Sequence, residues 1–383
     1  MKILIITGPL HPAVGNNANL LSKLIPHLSQ NNQVFILSFS TEKDVTALPK
    51  TLFGIPVFWA KVNKIGIQNF VYAHVIDRSG LGDGVTSQAL FRKASELIHE
   101  LAIDTVLSSS EPYSAAIAAS RLSDRLYKTV FLMDPPALVL KKYQYRYRNR
   151  YLKTILHNYT QVLTTPFVAK EISKIYSRRF DSKMISVGFP MIMENAPNRK
   201  QKADAKIRLL FCGWLYSDIR SPRYFLDIVS RLDERFEVTF MGKECELLQE
   251  RFPIETKAKL ITMPNQPYDV ALQAMADADV LINIGNSVPV HMPSKTLEYI
   301  NTGKPMVNFY KLEDCPTLYY TERYPLALNL FEEEKDLDAV TERFIRFCEE
   351  NNGKTVERSY IESEYADCTP QYIAQKILEC LEK

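Results

Sequence analysis

The chain has 383 residues, of which 46% are hydrophobic and 24% are charged, and its formal net charge is +3. This length exceeds one ordinary hydrophobic core, so two domains are expected, and the composition is that of a globular rather than a disordered protein. No apolar run approaches bilayer-spanning length, which argues against a membrane-crossing chain. The short apolar run after Met1 lacks the cleavage region of a signal peptide, so a cytoplasmic protein is expected.

Charge is divided unevenly along the chain. Residues 1–190 carry 23 Lys and Arg against 12 Asp and Glu, whereas residues 191–383 carry 24 against 32. This asymmetry predicts two domains with different surfaces, and the basic half favours an anionic partner such as phospholipid, nucleic acid or a phosphorylated substrate. The six cysteines form no C-x-x-C pair and no His pattern completes a zinc site, so we expect reduced thiols. No cofactor is expected either.

The first half alternates strand-like and helix-like segments. Strands are predicted at 3–6, 34–39, 104–108, 129–133, 160–164 and 183–187, and helices at 20–28, 86–101, 113–126, 138–156 and 166–176. Pro26 is expected to kink the first helix or to end it early. The β-α-β opening implies a parallel sheet with right-handed crossovers.

The second half repeats this pattern after a linker. The linker is the charged stretch 191–206, which contains Pro197 and several Asn residues. Strands are then predicted at 207–212, 238–241, 260–262, 279–283 and 305–309, and helices at 221–232, 293–302, 333–350 and 369–382. The predicted fold class is α/β, with a Rossmann-like domain at 1–190, a second at 207–367, a cleft between them, and a helix at 368–383 that crosses back to the first domain. Ligands of such sheets bind at the carboxyl ends of the strands.

The segment from Pro293 to Pro305 places a short helix between two strand-like runs. Pro293 suits a first helical turn, and Gly303 followed by Pro305 is a stop signal. The N–H groups at the helix start form an anion site, with Lys295 in that turn. Glu298 lies about one turn further on the same face, so a diphosphate and a ribose can be held together. The alternative is an ordinary helix whose Lys and Glu are solvated.

The pattern Pro-Ser-Lys-x-x-Glu-Tyr-x-x-x-Gly-Lys-Pro at 293–305 resembles the donor-site motif of GT-B-fold glycosyltransferases, particularly the family 4 type of bacterial polysaccharide biosynthesis. The segments 211–222 and 283–286 resemble one branch of that family. The resemblance implies a nucleotide-sugar donor bound by the second domain and an acceptor, a growing surface or capsule polysaccharide, bound by the first. It also implies retention of anomeric configuration and no need for a metal.

The same resemblance assigns roles to individual residues. Glu298 would accept hydrogen bonds from the ribose hydroxyls, while Lys295 and Arg220 would face the diphosphate as catalytic cations, because the leaving group gains negative charge as the sugar departs. The N–H groups of Ser294 and Thr296 would add to that anion site.

Further candidates lie in loops that follow strands. Asp134 ends a strand before Pro135, and as a third catalytic candidate it would orient an acceptor or sugar hydroxyl, with a helix-cap or turn carboxylate as the alternative. Gly15 in the first loop resembles a glycine whose backbone approaches the donor phosphate, and a plain turn glycine is the alternative. The remaining donor-binding candidates are Gly213 and Asn286.

Two departures from the family pattern stand near the motif. Many relatives carry a second carboxylate eight positions before the motif glutamate, where this chain has Val290. Many also carry an arginine where this chain has Trp214. Sugar contacts then differ or come from elsewhere, with His291 and Asn286 as candidates, or the protein binds a nucleotide sugar without turnover. A nucleotide-sugar epimerase of the same fold is a further alternative, although it needs an acid/base pair near the sugar.

The stretch 141–153 contains six basic residues, four tyrosines and no acid. As a helix it places Lys142, Arg146 and Arg150 along one side, beside a tyrosine face. This combination fits an anionic membrane surface, so a lipid-linked acceptor at the inner leaflet is expected. RNA stacked on the tyrosines, and a solvated helix packed on the sheet, are the alternatives, and nucleic acid is not the expected partner.

Overall fold

The structure is a computed structural model that describes residues 1–8, 16–42, 44–62, 81–110, 113–133, 135, 142–193, 206–215 and 219–381. Side chains of 16–19, 81–83 and 142–148 lie outside this description. The chain divides into two units. The first comprises Met1–Pro190 together with Asp367–Lys383, and the second comprises Met191–Ala366.

The first unit is built on an eight-stranded sheet. Its strands are β1 (Lys2–Ile6), β2 (Gln33–Ser40), β3 (Thr51–Leu52), β4 (Ile55–Lys61), β5 (Thr105–Ser109), β6 (Tyr127–Leu132), β7 (Gln161–Thr164) and β8 (Met184–Ser186). Their order is β3-β4-β2-β1-β5-β6-β7-β8, and all neighbours are parallel except the hairpin pair β3 and β4. The central strand β1 is buried from Ile3 to Ile6, as expected for an apolar run in a parallel sheet covered on both faces.

Helices connect these strands. They are α1 (Asn16–Leu28), α2 (Leu81–Leu101), α3 (Tyr113–Ser120), α4 (Lys142–Asn158) and α5 (Pro166–Ile175). Of the two outcomes expected at Pro26, a kink or an early end of α1, the early end is wrong, because the helix continues to Leu28 and the Ser29 N–H still bonds Ile25 O at 3.0 Å. A proline this close to a helix end removes few intrahelical bonds.

The second unit has a six-stranded parallel sheet. Its strands are β9 (Ile207–Cys212), β10 (Phe236–Met241), β11 (Lys259–Met263), β12 (Val280–Ile284), β13 (Met306–Tyr310) and β14 (Ala327–Phe331). Its helices are α6 (Arg223–Val229), α7 (Leu248–Arg251), α8 (Tyr268–Asp277), α9 (Lys295–Asn301), α10 (Leu318–Thr321), α11 (Leu337–Asn351) and α12 (Arg358–Glu364). The order is β11-β10-β9-β12-β13-β14, which is the Rossmann arrangement with its reversal between β9 and β12.

The last helix, α13 (Pro370–Leu381), belongs to the first unit, where it packs on α1 and β6. The chain enters this region through a tight contact with Gly188, whose N–H bonds Asp367 O at 3.3 Å. A Cβ at Gly188 would lie 2.5 Å from the sulfur of Cys368, so only glycine fits against this segment.

All six cysteines are buried as free thiols. Four lie in the second unit, and Cys368 and Cys380 lie in the C-terminal segment of the first. Burial raises the pKa of Cys245 to about 12, so this thiol stays protonated at neutral pH. These are packing side chains rather than reactive ones.

The predicted α/β class with two parallel sheets is confirmed, and most predicted strands lie within a few residues of their observed bounds. Three strands were missed: β3 and β4, which form a hairpin, and β14. The helix predicted at 113–126 is shorter and ends at Ser120.

Candidate functional site

The reversal of strand order in the second unit places two loops side by side. Strands β9 and β12 are neighbours, β9 ends at Cys212, and β12 ends at Ile284. The segments that begin at Gly213 and Gly285 therefore leave the sheet at the same edge, where ligands of such sheets bind. The backbones approach closely here: a Cβ at Gly285 would lie 2.8 Å from Phe309 O, and one at Gly242 would lie 2.0 Å from Gly213 O.

Helix α9 carries the charged pair that the sequence predicted. Lys295 Nζ lies 2.6 Å from Glu298 Oε2, and the two side chains are only 23% and 9% exposed. Burial alone would lower the pKa of Lys295, but the nearby Glu298 carboxylate outweighs it and the pKa is raised. The lysine therefore stays charged. The ring of Tyr268 lies 5.7 Å from its ammonium and covers it from α8.

Arg220 forms the second cationic group of this edge. It is 7% exposed, and its Nε donates to Asn286 Oδ1 at 3.0 Å, while one terminal nitrogen donates to Trp214 O at 3.1 Å. Asn286 in turn donates from Nδ2 to His291, at 2.8 Å to both the ring Nδ1 and the main-chain oxygen. Arg220, Asn286 and His291 are thus one hydrogen-bonded chain linking the two loops.

The position of α9 is fixed by hydrogen bonds to the ends of the strands. Tyr299 is fully buried, and its hydroxyl accepts from the Cys212 N–H at 2.8 Å and donates to Cys212 O at 3.1 Å. Loss of this hydroxyl would leave a buried N–H and a carbonyl unsatisfied, at a cost of about 1–3 kcal/mol. Tyr299 therefore ties the helix that carries Lys295 and Glu298 to the strand that precedes Gly213.

A row of three hydrogen-bonded asparagine side chains, called the amide ladder below, contacts α9. Asn283, Asn308 and Asn329 stand opposite one another on β12, β13 and β14, with amide hydrogen bonds of 2.7 and 2.9 Å between successive members. Thr296 of α9 joins the ladder through a 3.3 Å hydrogen bond to Asn283. Three in-register polar side chains in a buried sheet are stable only because each amide has a partner.

The start of α9 differs from the predicted anion site. The helix has seven residues, Ser294 precedes it without a side-chain cap, and the Thr296 N–H donates to Pro293 O at 3.1 Å. Thr296 is fully buried, and its hydroxyl faces the amide ladder. The Thr296 N–H is thus engaged within the chain in this structure, and the charged groups at the edge are side chains.

Trp214 and Val290 occupy the two positions that depart from the family pattern. Lys243 Nζ lies 3.7 Å from the centre of the Trp214 ring, whose Nε1 donates to Glu244 at 3.4 Å. A lysine is therefore present beside the place where many relatives have an arginine. Val290 is buried and contributes only apolar contact.

Several predicted residues are not described by the structure. Gly15 and Asp134 lie outside the described residues, as do the side chains of Lys142 and Arg146. Arg150 is exposed on α4. The neighbouring Tyr151 stacks on Tyr113 of α3 at 6.3 Å between ring centres.

A buried carboxyl at the end of β14 was not foreseen from the sequence. Glu332 is 9% exposed, one of its oxygens has no partner among the described residues, and the other lies 3.5 Å from Lys311. Burial raises its pKa to about 7, more than Lys311 lowers it. The only sequence signal is the run Glu332–Glu334, which resembles an ordinary solvated turn.

Asp277 and Asp279, which form an Asp-x-Asp sequence, have partners within the fold. Asp277 accepts from Gln273 at 3.0 Å, and Asp279 accepts the Arg208 N–H at 2.8 Å at the opposite end of the strands. Within the described ranges, no group of three His, Cys, Asp or Glu side chains is placed to hold a metal ion. In the same part of the chain, none of the helices has the length and apolar character needed to cross a bilayer.

Solved structures match the whole chain at low sequence identity. Anabaena HepE, solved with UDP and glucose, is 15% identical with a TM-score of 0.63, and the match covers 100% of both chains. The lipopolysaccharide outer core galactosyltransferase WaaB is 13% identical with a TM-score of 0.61, covering 100% of this chain and 99% of WaaB. The UDP-GlcNAc 2-epimerase from Neisseria meningitidis, bound to UDP-GlcNAc, is 12% identical with a TM-score of 0.58 and full coverage of both chains.

No protein-family model and no curated protein matches the sequence. Identities this low show the fold, and the structural neighbours include GT-B glycosyltransferases. The chain has the GT-B fold. This confirms the fold that the motif at 293–305 implied.

Proposed function

We propose that this chain is a glycosyltransferase that moves a sugar from a nucleotide-sugar donor to a glycan acceptor. The observation that carries the proposal is the gathering of Arg220, Lys295 and Glu298 at the carboxyl edge of the second sheet, at its point of reversal. Among the solved neighbours of this fold, HepE is in complex with UDP and glucose. Because fold alone does not fix function, the proposal depends on the charged site and not only on the fold.

In this proposal the catalytic contribution is positioning and charge stabilisation. Lys295 carries three N–H donors and directs one to Glu298, which leaves others for a phosphate oxygen. Arg220 adds a fixed positive charge next to the loop that follows β12. Both cations oppose the negative charge that the nucleoside diphosphate gains as it leaves. Glu298 accepts from the ribose hydroxyls.

The finer features of the reaction follow from the resemblance in sequence. We infer retention of anomeric configuration and charge stabilisation by side chains rather than by a metal ion. Asp134 orients an acceptor or sugar hydroxyl, and the backbone of Gly15 approaches the donor phosphate. The acceptor is a lipid-linked glycan of surface polysaccharide synthesis, presented at the cytoplasmic face of a membrane to which helix α4 binds through Lys142, Arg146 and Arg150.

A second candidate function is epimerisation of a nucleotide sugar. It is motivated by the match to the UDP-GlcNAc 2-epimerase, which has the same fold and a comparable TM-score. A third, binding without turnover, is motivated by Val290 and Trp214, since both replace charged groups of the family pattern.

The test is a panel of UDP-, GDP-, TDP- and CMP-sugars with the purified chain, read by thermal stabilisation and by release of free nucleotide. Stabilisation together with slow nucleotide release is the expected result for a transferase. Conversion of the sugar without nucleotide release would establish the epimerase. Stabilisation with neither reaction, even after addition of lipid extract, would favour binding alone, and no response to any donor would overturn the proposal.

A further inference from the structure

The hydrogen bonds around Asn286 fix the orientation of its amide. Arg220 Nε approaches Asn286 Oδ1 at 3.0 Å, and a guanidinium can only donate. On the other side, Asn286 Nδ2 lies 2.8 Å from the main-chain oxygen of His291, which can only accept. A flipped amide would set donor against donor and acceptor against acceptor, so one orientation alone satisfies both neighbours.

This orientation determines where the ring of His291 carries its proton. The same Nδ2 group lies 2.8 Å from Nδ1 of His291, and because Nδ2 bears only hydrogens, Nδ1 must be the acceptor. A ring with an acceptor at Nδ1 is neutral and carries its hydrogen on Nε2. Burial first, and then the charge of Arg220, lower the pKa of His291 to about 4, in agreement with a neutral ring.

We propose that His291 is a specificity-determining residue that donates its Nε2–H to a hydroxyl oxygen of the glycosyl group of the donor, with Asn286 as the positioning residue that fixes its tautomer. This inference rests on the proposed function. His291 lies on the loop between the end of β12 and the start of α9, so the ring belongs to the same edge as Lys295. In the described part of the chain, its Nε2 has no hydrogen-bond partner.

The protonation state indicates a hydroxyl rather than a phosphate as the ligand. A phosphate would favour an imidazolium, whereas Arg220 beside the ring opposes a second positive charge. The cations for the diphosphate are Arg220 and Lys295. The loop 285–294 contains no Asp or Glu, so an uncharged N–H donor is the group it offers to an uncharged hydroxyl.

The test compares a nucleoside diphosphate with the corresponding nucleotide sugar. Affinities of UDP, UDP-glucose, GDP and GDP-mannose are measured by calorimetry for the wild type, His291→Phe and His291→Gln. We expect His291→Phe to weaken nucleotide-sugar binding by about 10-fold, as for one lost hydrogen bond, and to change nucleoside diphosphate binding by less than about twofold. Glutamine, whose amide N–H can replace Nε2–H, should restore most of the loss.

Two outcomes would overturn the inference while leaving the proposed function intact. An equal loss for the diphosphate and for its sugar would mean a phosphate contact or a structural defect, and unchanged affinity for both would mean no contact at all. A wild-type chain that binds no nucleotide and no nucleotide sugar of the full panel would overturn the proposed function, and this inference with it.

The role of Asn286 has a spectroscopic test. In Asn286→Asp the carboxylate can only accept, so we expect the proton of His291 to move from Nε2 to Nδ1. Nitrogen-15 spectra of histidine-labelled protein at pH 7 report this directly, and His291→Phe identifies the resonance among the six histidines. A wild-type ring protonated on Nδ1, or a tautomer unchanged in Asn286→Asp, would contradict the assignment.

Discussion

The two units share one architecture but differ at the carboxyl edges of their sheets. At the point of reversal in the first unit, the described groups are neutral hydroxyls, such as Ser109, which donates to Thr7 at 3.1 Å. The same edge of the second unit holds Arg220 and the Lys295–Glu298 pair. Yet the first unit has the basic sequence and the second the acidic one. Bulk charge therefore describes a domain's surface, whereas a few buried, paired side chains set the charge of a site.

The largest expected effect tests the charged edge itself. Lys295→Ala should reduce turnover of the donor by about 10²–10³-fold, because it removes a preorganised cation from the departing diphosphate. Steady-state kinetics with the donor from the panel measures this. Lys257→Ala, at an exposed lysine of the same unit, is the matched control and should retain full activity. Comparable activity in the two variants would refute the assignment of Lys295.

The next effect belongs to the basic unit. Replacing Lys142, Arg146 and Arg150 with Glu should abolish binding to anionic vesicles, since each basic residue at a membrane surface contributes about 1 kcal/mol. Co-sedimentation with phosphatidylserine-containing vesicles measures binding, and neutral vesicles give the baseline. The control variant reverses Lys170, Lys174 and Arg178 on and after α5. Binding that persists in the first variant would rule out α4 as the anchor.

A smaller effect concerns the carboxylate of the site. Glu298→Ala should weaken nucleoside diphosphate binding by about 10–100-fold, because hydrogen bonds to a charged acceptor contribute about 1.5–3 kcal/mol. A 2′,3′-dideoxy nucleotide supplies the matched comparison. The wild type should bind it more weakly than the normal nucleotide, whereas the variant should bind the two nucleotides equally. If Glu298→Ala leaves nucleotide affinity unchanged, the ribose role is wrong.

The smallest effect separates two buried titratable groups of the acidic unit. His291 has a pKa of about 4 against 6.5 in the unfolded chain, so the unfolded state binds more protons as pH falls through this window and stability is lost. Glu332 has a pKa of about 7 against 4.5, so the folded state binds the extra proton and stability is gained as pH falls. In the wild type these contributions oppose each other.

Single substitutions should expose each contribution. When the pH falls from 7 to 5, we expect the free energy of unfolding of Glu332→Gln to change by about 2 kcal/mol less favourably than that of the wild type. For His291→Gln, the same change should be about 2 kcal/mol more favourable than in the wild type. Denaturant unfolding at the two pH values measures this. Parallel pH profiles for both variants would show that neither group titrates as assigned.

Much of the fold was predictable from the sequence, because buried parallel strands are apolar runs and the helices between them are amphipathic. Two of the three missed strands break that rule. β4 contains Pro56, which pairs with Thr51 of the short hairpin, and β14 contains Asn329. A buried asparagine in a strand is acceptable only with a partner, and that partner, Asn308, lies 21 residues away in the chain.

The site was predictable in part for a similar reason. Lys295 and Glu298 are three residues apart on one helix, so a local pattern contains both. The contact between Arg220 and Asn286 spans 66 residues and arises only when β9 and β12 become neighbours. Glu332 is perturbed by burial, which no local pattern reports.

Because each unit contains buried thiols, the local opening of each unit can be measured separately. Four cysteines are enclosed in the second unit, and the remaining two, Cys368 and Cys380, are enclosed where the C-terminal segment packs on the first. A buried thiol reacts with an alkylating reagent only when its surroundings open, so labelling rates measured by mass spectrometry give opening free energies site by site. Labelling of the native cysteines therefore measures separately the opening of the second unit and the detachment of the C-terminal helix from the first.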